Sequence, residues 1–268
     1  MPAADELLPM TWAIDLDGVV WLAEEPIAGA TAAVAALRAA GEQVVFVTNN
    51  SSVRLVDLEA KLRRQGIDIP GAVVSSAAVV AGLVTPAERV LCCGGPGLEE
   101  ALVARGAQVK VNDGTPVGPV DAVVVGFHRD FDFARMDVAS AAVRSGARLL
   151  ASNDDATYPT PAGPIPGGGA ILAGIERASG ARAVVAGKPY PPMVDHLRAR
   201  CGPTGIVVGD RADTDGRLAQ GLGWPFALVL SGVTVEAGGL DPPPDEVAAT
   251  LDALVRRRLA GPASAAKC

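Results

Sequence analysis

A chain of 268 residues has room for one large domain or two modest ones. With 49% hydrophobic and 20% charged residues it can fill a core, which excludes wholesale disorder. A net charge of −7 with no basic stripe argues against a nucleic-acid partner, and any phosphate site must be made positive locally by a metal, a lysine or helix N-termini.

Aliphatic residues dominate and aromatics make up only 4%, a mix that suits an α/β protein with buried strands. Cys92, Cys93, Cys201 and Cys268 show neither metal-ligand spacing nor a disulfide framework, so reduced thiols are expected. The opening MPAADELLPM lacks a basic stretch followed by a long apolar run, and no segment reaches bilayer length. The expectation is a cytoplasmic chain without a membrane partner.

Short aliphatic runs alternate with amphipathic stretches, the pattern of βα units. The first run, Thr11 to Ile14, stops at Asp15. A helix is expected over 30–40, ended by Gly41. QVVFV then leads to Thr48, and Ser51 or Ser52 is placed to cap a helix with Leu55, Leu58 and Leu62 on one face. Between residues 88 and 181 the alternation repeats with strands RVLCC, AQVKV, DAVVVGF and ARLLA, and with helices near 99–105, 133–145 and 170–179. This block is large enough to be an inserted domain. RAVVAG then leads to Lys188, with Pro189 expected to open a helix, and TGIVVG leads to Asp210. PFALVL reads as one more buried strand, a final helix is expected over 245–259, and the tail GPASAAKC is expected to fray.

Asp15, Thr48, Lys188 and Asp210 each end an aliphatic run. Ligands of an open parallel sheet bind beyond the carboxyl ends of its strands, so these residues are expected to meet in one crevice. In DLDG, Asp15 and Asp17 flank one residue, and two such carboxylates call for a cation beside them. One carboxylate can attack phosphorus, and the other can protonate the leaving alcohol and then activate water. The same pattern also suits a turn in which the two aspartates cap the next segment. TNNSS, containing Thr48, Asn49 and Asn50, offers a hydroxyl and amides to an anion, or an ordinary helix cap. Lys188 either balances the acids and phosphate or lies exposed. GDRADTD supplies oxygen ligands suited to Mg²⁺; Asp210, nearest the strand end, is assigned to the metal, and Asp215 to an outer partner or a helix N-terminal charge. Arg211 and Asp213 are expected to be solvated.

In the order DLDG, TNNS, GKP and GDRADTD, the chain resembles the phosphatase branch of the haloacid dehalogenase superfamily. DLDGVVW, EEPIAGA and FVTNNS narrow the resemblance to the C2-capped subclass IIA of 4-nitrophenylphosphatase, phosphoglycolate phosphatase and NagD-type enzymes. VVGFHRDFDF and ASNDDATYPTPAGPIPGGGA are similar to that group's cap. The resemblance implies a Rossmannoid parallel sheet with helices on both faces, built from residues 1–85 and 182–268, and an inserted α/β C2 cap over 86–181. It implies a Mg²⁺-dependent phosphatase acting on a small phosphorylated metabolite. Asp15 would be the nucleophile and a metal ligand. Asp17 would be the general acid/base, its carbonyl also on the metal. Thr48 and the amide of Asn49, with Asn50, would hold the phosphoryl group, Lys188 would neutralise charge, and Asp210 would complete the metal site. An acid at position 17 favours ester hydrolysis over carbon–halogen cleavage, since the superfamily's dehalogenases lack it. Relatives often dimerise through the cap, so a homodimer is included in the expectation.

Asn153, Asp155 and Tyr158 sit in the Pro/Gly-rich stretch 153–169, where a shaped loop could touch the leaving group or these residues could simply stabilise turns. His128 stands where many relatives carry an acid, and Gly216 where an aliphatic residue is usual. A phosphotransferase or mutase on the same core, or a non-catalytic binder of phosphorylated metabolites, are the alternative readings.

Overall fold

The computed structural model describes residues 9–158, 160 and 163–260. The tail expected to fray, 261–268, lies outside the described residues.

In chain order, β1 (Thr11–Ile14) precedes a small antiparallel hairpin of β2 (Trp21–Leu22) and β3 (Glu25–Pro26). Next come α1 (Ala30–Ala39), β4 (Gln43–Thr48), α2 (Leu55–Arg64), β5 (Val73–Ser75) and α3 (Ser76–Gly82). The middle of the chain holds β6 (Arg89–Cys93), α4 (Pro96–Ala104), β7 (Gln108–Val111), β8 (Ala122–Val125), α5 (Phe133–Arg144) and β9 (Arg148–Ala151). It continues with a hairpin of β10 (Thr157–Tyr158) and β11 (Ile165–Pro166), then α6 (Gly168–Ser179) and β12 (Val184–Val185). The last third holds α7 (Pro191–Arg200), β13 (Gly205–Gly209), a wide π-type turn over Ala212–Gly216, α8 (Arg217–Leu222), β14 (Phe226–Val229), β15 (Glu246–Ala248) and α9 (Leu251–Leu259). No helix among the described residues is long and apolar enough to cross a membrane.

The chain divides into two compact units, one of Met1–Phe46, Gln65–Ala72 and Leu197–Cys268, the other of Val47–Arg64 and Val73–His196. In the first unit the strands run parallel in the order β15-β14-β13-β1-β4. Central β1 pairs Ile14 with Val208 on one side and Phe46 on the other. Its four residues are all buried, as a strand flanked on both edges requires. Helix α1 packs against α9. Gly41, at φ +80°, ends the α1 segment in the left-handed conformation that a side chain resists.

In the second unit five parallel strands run β12-β9-β8-β6-β7. Leu91 and Cys93, Val123 and Val125, and Leu149 and Ala151 project from alternate positions of three adjacent strands into one core cluster. Val138, Ala139 and Val143 of α5 and Leu172 and Ile175 of α6 close that cluster. Each leucine, isoleucine or valine of the cluster contributes about 1.5–3 kcal/mol by leaving water.

Four local expectations are corrected. Residues 246–248, expected to be helical, form β15, because Val247 and Ala248 pair with Leu228 and Val229. Asp245 fixes that register by accepting from Phe226 N at 2.8 Å, and Thr250 then caps α9 through Ala253 N. Helix α7 opens at Pro191, not Pro189. Helix α2 begins only at Leu55, beyond Ser51 and Ser52, so neither serine is the expected cap; Leu55 N donates to Glu100 at 2.9 Å, and Ser51 Oγ lies 2.8 Å from Ser152 Oγ. Leu55 is 37% exposed, and only Leu58 and Leu62 bury the α2 face.

Candidate active site

In the first unit, the turn after β1 is held by Leu16 O, which accepts from Val20 N at 2.9 Å, and by Gly18 N, which donates to Trp21 O at 2.7 Å. Gly18 adopts φ +84°, which aims the chain back toward the β2–β3 hairpin. Asp17 Oδ1 accepts from Trp21 Nε1 at 2.9 Å. Carboxylate oxygens of Asp15, Asp210 and Asp215 all lie within 4.8 Å of one another. Three carboxylates so close repel unless a cation shares them, and oxygen donors of this kind fit Mg²⁺. The GDRADTD motif suggested an outer role or a helix N-terminal charge for Asp215, and the wide turn over 212–216 brings its carboxylate beside those of Asp15 and Asp210. Periodicity cannot reveal this, because the turn follows neither helical nor strand spacing.

Asp210 is 2% exposed and Asp215 is fully buried. Val233 N donates to Asp210 Oδ2 at 2.6 Å, and Arg211 N donates to Asp215 Oδ2 at 3.2 Å. Ser231 Oγ donates to Gly18 O at 2.7 Å, tying the loop after β14 to the turn after β1. Arg211 pairs with Asp213 at 2.9 Å, and hydrogen bonding from Arg211 holds the Asp213 carboxyl below its ordinary range.

The remaining predicted residues belong to the second unit. Thr48 is 2% exposed, and its Oγ1 accepts from Asn50 N at 3.0 Å. Asn50 Oδ1 accepts from Ser52 N at 3.1 Å, so this side chain shapes its own turn. Lys188 is 3% exposed, which removes the surface-lysine alternative. Asn49 joins Lys188, Asp155 and Asn153: its Nδ2 lies 3.2 Å from Asp155 Oδ2 and 3.0 Å from Lys188 O, its Oδ1 accepts from Lys188 N at 2.8 Å, and its carbonyl accepts from Asn153 Nδ2 at 2.7 Å. Tyr158 stacks flat on Phe127 with ring centroids 4.6 Å apart. His128 Nδ1 lies 3.2 Å from Asp130 Oδ1, and its Nε2 is buried without a hydrogen-bond partner among the described residues. Sequence reasoning missed Ser231, Gly232 and Val233 around Asp210; the only signal was a Ser-Gly pair just after a buried strand.

Residues 12–108 match the model of the haloacid dehalogenase-like hydrolases, and 185–254 match a second, HAD-hydrolase-like model. The acid sugar phosphatase of Staphylococcus aureus is 31% identical over 228 residues, covering 82% of this chain and 86% of that one. The chain belongs to the haloacid dehalogenase-like hydrolases. Within them it falls in the phosphatase branch that holds the p-nitrophenyl phosphatases and NagD proteins. The D-glycerol 3-phosphate phosphatase of Mycobacterium tuberculosis is 35% identical over 227 residues, and the match covers 82% of this haloacid dehalogenase-like chain but 62% of the relative's length. The solved structure of a glycerol phosphate phosphatase from the same organism, in complex with magnesium, superposes with a TM-score of 0.80 at 34% identity, covering 91% of this chain and 75% of that one.

Proposed function

We propose that this chain is a magnesium-dependent phosphatase that hydrolyses a small phosphomonoester through an aspartyl phosphate on Asp15. The observation that carries the reading is the convergence of Asp15, Asp210 and Asp215, with the Asp17 acid two residues after Asp15, in a chain of this family. In the proposed division of labour, residues 1–85 and 182–268 carry the chemistry, and 86–181 select the substrate.

Asp15, Asp210 and the main-chain carbonyl of Asp17, with Asp215 beside them, would hold Mg²⁺, which when bound supplies positive charge to the acids and the phosphate dianion. Asp15 attacks phosphorus in line, forming its P–O bond as the bond to the leaving alcohol breaks, while Asp17 gives that alcohol its proton. Asp17 then takes a proton from water, whose oxygen displaces phosphate from Asp15. Thr48 and the amide of Asn49 hold the phosphoryl oxygens, and Lys188 neutralises charge that develops on them. Trp21, which donates to Asp17 Oδ1, keeps that carboxyl oriented for both transfers.

Relatives named D-glycerol 3-phosphate phosphatase and acid sugar phosphatase direct the substrate search to phosphorylated polyols and sugars. A cytoplasmic location belongs to the same proposal and agrees with the free, buried thiols of Cys92, Cys93 and Cys201. The test is turnover of 4-nitrophenyl phosphate with Mg²⁺. Wild type should release phosphate, EDTA should stop it, and Asp15→Asn should lose at least about 10³-fold while keeping its fold. Wild-type turnover by Asp15→Asn would end the proposal.

A further inference from the structure

We propose that the Asn49 side chain is a positioning residue that sets the backbone of Lys188 and couples it to the loop of Asn153 and Asp155. The inference deepens the proposed function and rests on its reading of Lys188 as the cation of the reaction.

Asn49 presents both ends of its amide to one residue. Oδ1 accepts from Lys188 N at 2.8 Å and Nδ2 donates to Lys188 O at 3.0 Å. The carboxamide therefore pairs with Lys188 as a neighbouring strand would, three residues after the chain has left β12. A carboxamide is the side-chain group that offers donor and acceptor at this spacing. Gly187 permits the approach: a Cβ there would stand 2.5 Å from both Asn49 Oδ1 and Ser152 O. The same Nδ2 faces both Asp155 oxygens at 3.2 and 3.3 Å. Asn49 is itself pinned, its carbonyl accepting from Asn153 Nδ2 at 2.7 Å and from Ser76 Oγ at 2.8 Å. Lys188 is 3% exposed, so its ammonium has little freedom beyond what its backbone allows. The resemblance uses only the Asn49 amide, for phosphoryl binding; the side chain performs a separate task directed at Lys188.

The test is a double-mutant cycle of Asn49→Ala and Lys188→Met, read as kcat and KM on 4-nitrophenyl phosphate with Mg²⁺. Asn49→Ala should lower kcat by about 10- to 100-fold, the usual cost of misplacing a reacting group by an ångström, with KM changed less than about threefold. In the Lys188→Met background the same change should cost less than about threefold, because the group it positions is gone. An equal loss in both backgrounds, or no loss in the wild-type background, overturns the positioning role. Full turnover by Lys188→Met overturns instead the reading of Lys188, and the inference with it. Should Asn49→Ala not fold, Asn49→Asp decides. It keeps the oxygen that accepts from Lys188 N but sets a second carboxylate against Asp155, so it regains the donor only when a proton is shared between them. Its kcat relative to wild type should rise as pH falls, and a flat ratio overturns the proposal.

Discussion

Gly18 and Asp210 approach so closely that a Cβ on the glycine would stand 2.7 Å from the carboxylate carbon. Gly232 closes on the same carboxylate from another loop, where a Cβ would stand 2.6 Å from that carbon. Asp210 thus sits between two backbones with Val233 N on one oxygen, and its direction toward Asp15 and Asp215 is set by main chain. Gly232 has no left-handed φ, so alanine there acts through contact alone. Gly232→Ala should raise the Mg²⁺ concentration for half-maximal activity by about 10- to 100-fold, as loss of a group that orients a ligand does. Magnesium titration of the purified variant, with circular dichroism to confirm the fold, checks this; an unchanged requirement would show that the carboxylate tolerates displacement.

Ser231 adds the tether between those loops through its 2.7 Å bond to Gly18 O. Ser231→Ala should cost about 1 kcal/mol of stability, typical of one lost hydrogen bond. It should also weaken the Mg²⁺ response in the same direction as Gly232→Ala, by less. Ser231→Thr, which keeps the hydroxyl, should restore the metal response, and urea unfolding with magnesium titration of both variants separates the two effects.

Trp21 is 2% exposed and donates to Asp17 Oδ1 at 2.9 Å. Trp21→Phe retains most of the buried ring and removes the donor. The expected result is a fall in kcat of about tenfold at nearly constant KM, a fraction of the 10²–10⁴-fold that general acid/base groups contribute. A change confined to KM would move Trp21 from orienting the acid to binding substrate.

The strand ends carrying Asp15, Thr48 and Asp210 were legible because each follows an aliphatic run buried in a parallel sheet; Lys188 follows the short edge strand β12, whose Val184 is half exposed, so its own burial could not be read from that run. Asp215 was legible as an acid and not as part of the cluster, since a wide turn obeys no periodicity that sequence displays. The strand Glu246–Ala248 was hidden for a related reason: three residues are too few to show alternation, and their pairing with β14 is a tertiary fact. The α2 cap was illegible because its acceptor, Glu100, lies 45 residues away. Asn49 was read for its amide alone, because a local motif cannot show which distant backbone a carboxamide meets.

Glu246 gives a pH signature of stability. Burial pushes its carboxyl up, but hydrogen bonds from Arg258 and Arg257 outweigh that and hold it below the usual carboxylate range. A depressed folded-state value means that the contribution is fully present above the unfolded carboxylate range and disappears as pH falls through the folded one. Glu246→Gln should therefore cost about 1 kcal/mol or less at pH 7, discounted because Glu246 and its arginines are partly exposed, and the difference should shrink as pH falls below the ordinary carboxylate range and vanish once the folded carboxyl is protonated. Urea unfolding of both proteins across that range checks it; a difference that persists in acid would assign the loss to packing.

Cys92 and Cys93 lie fully buried at the end of β6. Burial pushes the Cys93 thiol up to about 12, opposed in part by Asn112 Nδ2 at 3.2 Å from its sulfur, and burial raises Cys92 in the same direction. A thiol raised in the folded state contributes stability that is present below its unfolded value and lost as pH climbs toward the folded one. The reactive species is the thiolate, so at pH 8 both sulfurs should resist 5,5′-dithiobis(2-nitrobenzoate) at every rate faster than unfolding. In a Cys268→Ser background, the native protein should show no rapid labelling, and urea should release Cys92, Cys93 and Cys201 together. Rapid modification of the native chain would mean that the strand β6 opens locally, and that the core cluster around Cys93 is looser than its packing against Val123, Val125 and Ala139 implies.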